Sequence, residues 1–326
     1  MKGIGRRQFL SQVAAAAAAS GLACAASPAA SDTPAVPRAA PLPTISLGRH
    51  RVTRLIVGSN PINGYSYLGP HTDRHMKEYF TVERTVEFLL DCEREGISTH
   101  QFSPTGNPAR QPPRPGRAVP GGDAAASPAE VLRTVRERGS KMQFICLHSG
   151  RSGIREMIET TQPIAMVHHG GVTDRLFAEG KSQEVRDYVK EARDLGVLAG
   201  VSAHNPDCIK KIADEGWEVD LFMTCFYFLT RKAAGPSETL HVGYPFYAAD
   251  PQTMTAVIRQ VKQPCLGFKI LAAGRMCTSQ QTVKDAFRFA LEHIKPTDGV
   301  IVGMYPRFFD EIHANAQYAR EFGGAQ

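Results

Sequence analysis

Residues 143–168 read QFICLHSGRSGIREMIETTQPIAMVH, and this stretch decides the fold. Two short apolar runs, Gln143–His148 and Ile164–His168, have the length of buried strands, and Ser152–Thr160 between them has the amphipathic spacing of a helix. A strand, a helix and another strand in this order are typical of a parallel sheet with helices packed outside it. The stretch therefore predicts one repeat of an α/β fold.

The same alternation continues in both directions along the chain. Eight strands are predicted. An open dinucleotide-binding sheet would require a GxGxxG motif after the first strand, and this sequence has none there. Eight such units fit a closed barrel, so the sequence predicts a single (β/α)8 barrel over residues 45–326. The other predicted strands are Arg54–Ser59, Ser98–Phe102, Leu198–Ser202, Leu221–Phe226, Cys265–Leu271 and Gly299–Val302. The other predicted helices are Thr81–Glu95, Ala129–Arg138, Ser182–Leu195, Pro206–Glu215, Gln252–Val261, Ser279–His293 and Phe308–Phe322.

The residues before the barrel have the composition of a signal peptide followed by a linker. The pair Arg6-Arg7, followed by an Ala-rich apolar stretch and small residues, is typical of a twin-arginine signal peptide, predicted over residues 1–30. Residues 31–44 are rich in Pro and Ala, as in an unstructured linker. We therefore expect recognition by the twin-arginine export machinery and a periplasmic or secreted protein.

Composition narrows the class of protein. Hydrophobic residues make up 42% and charged residues 21% of the chain, as in ordinary globular proteins. The formal net charge is +6, to which residues 1–40 contribute +3, so the rest of the chain carries +3. This charge is too small to indicate nucleic-acid binding. No segment of the mature chain is long and apolar enough to predict a transmembrane helix.

The seven cysteines show no CxxC spacing, which disfavours a zinc ribbon or a thioredoxin-like site. Most lie in predicted strands or helices, where a free thiol acts as a small apolar side chain. We expect them to be mainly reduced and buried, with one disulfide left open as an alternative. Lipid attachment at Cys24 is less favoured, because Gly21 stands where a lipobox has Leu.

A long Pro/Gly-rich loop is predicted at residues 103–128. Loops of this length inside a compact domain are usually either functional, as lids, or mobile insertions. The sequence leaves both interpretations open.

Polar side chains cluster where the predicted strands end, which is where such barrels place their chemistry. His168, followed by His169, is the preferred candidate for a substrate-orienting or metal-binding imidazole, against the alternative of a histidine bonded to a neighbouring loop. His148 and His204 end neighbouring strands and could join His168 in holding a divalent Zn, Mn or Fe ion, although no HExxH spacing supports this. Lys269 could be a general base or stabilise an enolate, or it could simply pair with a carboxylate.

Other residues at these ends are candidates for binding a ligand. Asn60 could bind sugar hydroxyls or serve as a turn residue. Tyr227, in an aromatic cluster after strand six, could form a platform for a sugar ring or pack the loop. Gly274-Arg275 could hold a phosphate or carboxylate at a helix start, or form a turn with a surface arginine.

Five segments together resemble the aldo-keto reductase superfamily. They resemble, in order, the family's opening hairpin and first strand, strand five, strand six, strand seven, and strand eight with the helix that holds the cofactor phosphate. The segments are LGRHRVTRLIVGSNPING (47–64), GVLAGVSAHNP (196–206), VDLFMTCFYFLTR (219–231), LGFKILAAGR (266–275) and DGVIVGMYPRFFDEIHANAQYAREF (298–322).

The resemblance implies carbonyl reduction with NADP(H), in which a Tyr donates the proton, a Lys and an Asp tune its pKa, and a His orients the carbonyl. Only the His has a counterpart here, His168. Gln101 stands where the family has the Asp, Gly106 where it has the Tyr, and His148 where it has the Lys. Gln101 and His169 are then expected to contact substrate. The expected cofactor contacts are Ser202, Gly274, Arg275 and Gly303.

Three functional hypotheses follow. The first is an exported reductase-like enzyme acting on a small carbonyl or sugar-derived substrate, with His168 orienting it. The second is a metal-dependent lyase, isomerase or hydrolase that uses His148, His168 and His204 with Lys269 as base. The third is a non-catalytic ligand-binding barrel. Retained cofactor would indicate the first and stoichiometric metal the second.

Overall fold

The computed structural model describes residues 40–104, 127–231 and 244–324. The predicted signal peptide, most of the linker and nearly all of the predicted Pro/Gly loop lie outside these residues. The predictions about export and about the loop are therefore not tested by the structure. Among the described helices, none is long and apolar enough to cross a membrane.

A short antiparallel hairpin, β1 (Thr44–Leu47) and β2 (His50–Thr53), precedes the barrel. Its apolar side chains Leu47 and Val52 are fully buried in the cluster that fills the barrel interior. Burial of each such side chain contributes about 1.5–3 kcal/mol relative to exposure. The hairpin therefore closes the amino-terminal end of the barrel, and the other end is left for chemistry.

Eight parallel strands form a closed barrel in which consecutive strands pair and the last strand pairs with the first. The predicted (β/α)8 barrel is confirmed. The strands are β3 (Leu55–Gly58), β4 (Thr99–Phe102), β5 (Gln143–His148), β6 (Ala165–His168), β7 (Leu198–Ala203), β8 (Leu221–Cys225), β9 (Cys265–Phe268) and β10 (Gly299–Gly303).

The helices of the described chain pack outside the strands, and all but the first carry buried apolar residues on one face, as the amphipathic spacing predicts. They are α1 (Pro70–Tyr79), α2 (Val82–Arg94), α3 (Pro128–Glu137), α4 (Ile154–Thr161), α5 (Gly170–Ala178), α6 (Ser182–Asp194), α7 (Pro206–Asp214), α8 (Asp250–Gln260), α9 (Gln280–His293) and α10 (Glu311–Gly323). A short 3₁₀ turn, Ala272–Gly274, follows β9.

Strand side chains alternate between two apolar layers. Val167 belongs to the cluster inside the barrel, whereas Cys146 and Met166 belong to the cluster between the strands and the helices, here called the helix layer. Because successive side chains of a strand point to opposite faces, His148 and His168 continue the set that faces the helix layer. This alternation decides which histidines reach the mouth of the barrel.

Two helices, α1 and α5, are absent from the sequence-based prediction. Helix α1 buries only Asp73, so no apolar stripe marks it in the sequence. Helix α5 begins with Gly170 and Gly171 directly after a strand, and glycine is a poor helix former. Both helices follow strand ends, so both omissions concern the rim of the mouth.

Two predicted boundaries are corrected. Strand seven ends at Phe268 and not at Leu271, because Lys269 has φ 60°, a left-handed conformation that no strand contains. The last helix begins at Glu311 and not at Phe308. There the side chain of Asp310 accepts a hydrogen bond from a backbone N–H of the first turn and caps the helix.

All six cysteines of the described ranges are free thiols. Five are buried, as predicted, and Cys277 is exposed. Cys24 lies outside the described residues.

Candidate active site at the barrel mouth

His168 lies in the helix layer. Its Nδ1 is 2.8 Å from Oγ1 of Thr173, and its ring meets the ring of Tyr188 edge-on at 4.9 Å. The Thr173 hydroxyl donates to the carbonyl of His169, so it accepts the hydrogen bond from His168 Nδ1–H. Burial, together with the neighbouring His169 and His148, lowers the pKa of His168 to about 3. The environment is that of a neutral, satisfied core histidine, and a catalytic role for His168 stays a prediction.

His148 shares this layer. Its Nδ1 donates to the carbonyl of Gly150 at 2.7 Å, and its ring is parallel to that of Tyr188 at 6.4 Å. His148 and His168 are paired in the sheet register, so their side chains lie on the same side of it.

The predicted three-histidine metal site is not assembled. His204 is engaged with a carboxylate at the mouth, whereas His148 and His168 face the helices. Within the described ranges, no three His, Cys, Asp or Glu side chains are grouped so that they could hold a metal ion. The physical reason is the alternation of strand side chains, which sends strand-end residues to opposite faces according to their register.

Five other side chains converge at the carboxyl ends of the strands, and we call them the mouth cluster. They come from the loop after β3, the start and middle of α5, and the ends of β7 and β9. Mutual electrostatic interactions link them. The mouth cluster consists of Tyr67, His169, Asp174, His204 and Lys269.

The centre of the cluster is a buried Asp174–His204 pair. Nδ1 of His204 donates to Oδ2 of Asp174 at 3.0 Å, and both side chains are at least 90% buried. Asp174 also accepts the backbone N–H groups of His204 and Asn205 and the hydroxyl of Thr230 at 2.8 Å. These donors fix the carboxylate, and the carboxylate fixes the imidazole tautomer.

The fixed tautomer leaves Nε2 of His204 as the basic nitrogen. No hydrogen bond of Nε2 is found in the part of the chain that the structure describes, and this atom is not among its fully buried unpaired atoms. Burial lowers the pKa of His204, and Lys269 adds to the lowering, although the hydrogen bond that His204 donates to Asp174 raises it. His204 is therefore a neutral imidazole at neutral pH, with a free lone pair and a carboxylate ready to stabilise its protonated form.

Lys269 contacts two aromatic rings of the mouth. Its ammonium nitrogen lies 4.8 Å from the ring centre of Tyr67 and 4.6 Å from that of Phe268. It also hydrogen-bonds to the side chain of Tyr67. The ring of Phe268 in turn meets that of His204 at 5.7 Å, so Phe268 lies between the base and the cation.

The protonation state of Lys269 decides between its two predicted roles. Burial opposes the ammonium charge, but the neighbouring Tyr67, Cys225 and Tyr244 raise the pKa of Lys269 above its ordinary value. Lys269 is thus an ammonium at neutral pH. This state suits a group that stabilises negative charge and not a general base.

Strained backbone supports the mouth on the Tyr67 and Lys269 side. Among the described residues other than glycine, five have a left-handed φ, and four of them are Tyr67, Lys269, Ala272 and Ala273. Each such conformation costs on the order of 1–3 kcal/mol and persists only where the surroundings enforce it. Here Nη2 of Arg275 donates to the carbonyl of Tyr67 at 3.3 Å and ties the two loops together.

His169 and Ser202 lie close to the Asp174–His204 pair. Nδ1 of His169 and the hydroxyl of Ser202 are buried and have no hydrogen-bond partner among the described residues. Burial, with His204 and Lys269 nearby, lowers the pKa of His169 to about 4, so it is neutral. A side chain at Gly170 would lie 2.9 Å from Oγ of Ser202, which explains the glycine at this helix start.

The predicted substrate contacts are dispersed. Gln101 is buried, and its amide donates to the carbonyl of Phe102 in the same strand. The carbonyl of Asn60 accepts a turn hydrogen bond from Tyr65, which matches the turn interpretation. Tyr227 is buried against Phe246 at 5.0 Å, and burial raises its pKa.

The predicted cofactor contacts do not form one cleft. A side chain at Gly303 would meet the ring of Pro61 at 2.6 Å, so this glycine is packed and not open to a ligand. Gly274 faces Leu68. At the start of α10, where the family holds a cofactor phosphate, stand the carboxylates of Asp310 and Glu311. These carboxylates repel an anion, so the start of α10 fits the phosphate group of NADP(H) poorly.

Two residues of the mouth cluster escaped the sequence analysis. Asp174 lies in the unpredicted helix α5. Tyr67 itself has a left-handed backbone conformation, which a residue other than glycine rarely adopts and which the sequence therefore does not indicate. The available signal for Asp174 was an acidic residue between apolar Val172 and Leu176, a position that a helix here would bury.

Comparisons with known proteins assign no family and no activity to this chain. No protein-family model matches the chain, and no curated protein matches it. Among solved structures, the glycerol dehydrogenase AKR11B4 from Gluconobacter oxydans, an aldo-keto reductase, is 11% identical with a TM-score of 0.49, and the match covers 87% of this chain and 90% of that one. The DAHP synthase from Thermotoga maritima is 14% identical with a TM-score of 0.46, over 86% and 72% of the two chains. The N-acetylmannosamine-6-phosphate 2-epimerase from Clostridium perfringens is 11% identical with a TM-score of 0.41, over 82% and 91%.

These similarities are too low to carry an argument about activity. The chain is a (β/α)8 barrel on the strand order of its own structure.

Proposed function

We propose that this protein is an enzyme that transfers a proton on a small carbonyl compound, such as a sugar-derived hydroxy-carbonyl substrate. The observation that carries the proposal is the buried Asp174–His204 pair, which lies within electrostatic reach of Lys269. Phe268 contacts both groups, with its ring centre 5.7 Å from that of His204 and 4.6 Å from the ammonium of Lys269. A neutral base and a nearby cation are the two groups that enolisation requires.

In the proposed step, Nε2 of His204 takes a proton from the carbon next to the carbonyl. The electron pair of that C–H bond moves into the adjacent C–C bond, and the carbonyl π pair moves to oxygen. The enolate oxygen is stabilised by Lys269 and by the hydroxyl of Tyr67, while Asp174 stabilises the imidazolium. Return of the proton from the imidazolium to the same carbon restores the substrate, with exchange of that proton. If the hydroxyl on the deprotonated carbon first passes its proton to the enolate oxygen, return of the proton to the former carbonyl carbon gives the isomer. Either return regenerates neutral His204.

The test is exchange of substrate protons in D2O, followed by NMR, with the mature protein and a panel of hydroxy-aldehydes and hydroxy-ketones. We expect at least one compound to exchange at the carbon next to the carbonyl, and His204→Gln to slow exchange by about 100-fold or more. His148→Gln is the matched control, because His148 also ends a barrel strand but lies in the helix layer. Equal loss in both variants, or no exchange with any compound, would contradict the proposal.

The reductase hypothesis stays a prediction, and one observation favours it. Tyr67 is hydrogen-bonded to Lys269, and a tyrosine beside a lysine is the proton-donor arrangement that the resemblance implies. In that chemistry the hydroxyl of Tyr67 would deliver a proton to the carbonyl oxygen. Titration of the protein with NADPH, followed by fluorescence, tests it: micromolar binding would favour reduction, and no binding would exclude it.

Export by the twin-arginine machinery also remains a proposal, supported by Arg6-Arg7 and the segment that follows. We expect the full chain to reach the periplasm of a suitable bacterial host and to stay in the cytoplasm when both arginines are changed to lysine. Fractionation with a periplasmic marker measures this. Export of the double variant at the normal rate would overturn the proposal.

A further inference from the structure

We propose that the substrate of this site is an anion, and that Arg275 binds its carboxylate or phosphate group at the rim of the mouth. The inference rests on the proposed function, since it names the class of carbonyl compound that the same site takes. It comes from two cations at the mouth, Arg275 and Lys269, for which the described residues supply no carboxylate partner.

The guanidinium of Arg275 is held in one orientation. It stacks on the ring of Phe246 at 4.0 Å, and its Nη1 and Nη2 donate to the carbonyls of Ala272 and Tyr67, each at 3.3 Å. A guanidinium has five N–H donors, so three remain for a ligand. The planar fork of an arginine fixed in this way matches the two oxygens of a carboxylate or a phosphate.

Arg275 has no carboxylate partner in the ranges that the structure describes. A neighbouring arginine shows the contrast. Arg231 also stacks on aromatic rings, those of Phe228 and Tyr247, but its charge is neutralised by Asp250. Arg231 is therefore structural, whereas the charge of Arg275 meets no carboxylate among the described residues.

Lys269 is the second such cation. Its polar neighbours in the described chain are Tyr67, Cys225 and Tyr244, none of which is a carboxylate. His169 and His204 are neutral at neutral pH because burial lowers their pKa values. Asp174 is the one carboxylate of the mouth cluster, and its oxygens are occupied by His204, Asn205 and Thr230. The mouth is thus complementary to negative charge.

Tyr67 contacts both cations and so orients the substrate. Its side chain meets Lys269, and its carbonyl accepts from Arg275. An anionic group on Arg275 would place the rest of a small molecule over Tyr67, with its carbonyl oxygen toward Lys269. The inferred substrate class is therefore a hydroxy-carbonyl acid or the phosphate ester of a hydroxy-carbonyl compound.

The test is calorimetric titration of the mature protein at constant ionic strength with two probes, inorganic phosphate and malonate. We expect one of them to bind, and Arg275→Gln to weaken it by about tenfold or more, as the loss of a charged hydrogen bond implies. Arg275→Lys, which keeps the charge but loses the fork, should lie between the two. The probe that binds more tightly distinguishes a phosphate ester from a carboxylic acid.

Arg307→Gln is the matched control, because Arg307 is exposed on an aromatic ring, Phe308, and its loss changes the net charge equally. Binding of neither probe, or an equal loss in Arg307→Gln, would overturn the proposal. Thermal melts show whether each variant is folded. Since the titration needs no turnover, anion binding without proton exchange would contradict the proposed reaction alone, and exchange without anion binding would contradict this inference alone.

Discussion

Two pairs of histidines lie at the same end of this barrel, and the two pairs face opposite sides of its strands. His148 and His168 flank Tyr188 in the helix layer, and their Nδ1 atoms are bonded to neighbouring elements of the fold. His169 and His204 lie in the mouth, within electrostatic reach of Lys269. A shift of one residue along a strand separates His168 from His169. The comparison teaches that the face of the strand, and not its end, decides whether a histidine is available for chemistry.

The strongest test of this comparison is a substitution of Asp174, the carboxylate that accepts the hydrogen bond from His204 Nδ1. Asp174→Asn removes the acceptor that fixes the tautomer of His204, and we expect proton exchange to fall by about 100-fold or more. Because the Asp174 hydrogen bond raises the pKa of His204 against the effect of burial, its loss lowers that pKa further. The acid limb of the pH–rate profile should therefore move to lower pH. A shift of the acid limb to higher pH would contradict the role proposed for the Asp174–His204 pair.

The second test concerns the cation. Lys269→Met keeps much of the side-chain volume and removes the charge, and we expect kcat to fall by about 100-fold while KM changes little, since the charge acts on the developing enolate oxygen. Steady-state kinetics measure the two constants separately. A rise in KM at constant kcat would assign Lys269 to ground-state binding instead.

The third test is on the helix layer and should affect stability and not rate. The pKa of His168 is lowered to about 3, well below the value of about 6.5 in an unfolded chain. Between these values the unfolded chain binds the proton and the folded protein does not. Stability is therefore lost as pH falls below about 6.5, by about 1.4 kcal/mol per pH unit for this residue.

His168→Gln removes this dependence, so its free energy of unfolding should fall less steeply with acidification than that of the wild type. Urea unfolding between about pH 6.5 and pH 4.5 measures the difference in slope. The buried His100 and His169 have lowered pKa values too, and they keep part of the slope in both proteins. A large loss of proton exchange in His168→Gln at neutral pH, without loss of stability, would reverse the comparison.

The fold could be predicted from the sequence because its signal repeats. Each strand is a short apolar run, each helix has one apolar face, and errors at single boundaries do not change the count of eight. The side of the sheet to which each strand-end histidine points, the barrel interior or the helix layer, could not be predicted in the same way. A parallel barrel strand such as FICLH is apolar on both faces, so its sequence holds no alternation that marks the inside.

The site was predictable as a region and not as a mechanism. Lys269, His169 and His204 are at the mouth as their positions at strand ends suggest. Their partners are not visible in the sequence, because Asp174 lies in a helix without a clear start signal and Tyr67 meets Lys269 only through left-handed backbone conformations. Such conformations are imposed by tertiary contacts and leave no pattern in local residue types.

The smallest expected effect tests whether that backbone strain belongs to the mouth. Ala273 has φ 51° and ψ 49° in the turn after Lys269, where glycine avoids the clash of the Cβ atom. The relief of about 1–2 kcal/mol exceeds the added entropy cost of a glycine, about 0.5–1 kcal/mol, so Ala273→Gly should stabilise the protein by up to about 1 kcal/mol. If the rigid turn also positions Lys269, the same variant should lower kcat while raising stability.

Gly139→Ala is the control, because it introduces strain where Ala273→Gly removes it. Gly139 has φ 88° and lies far from the mouth, so this variant should lower stability without changing kcat. A more stable Ala273→Gly with unchanged kcat would mean that the strain is a by-product of the fold and does not hold the cation in place.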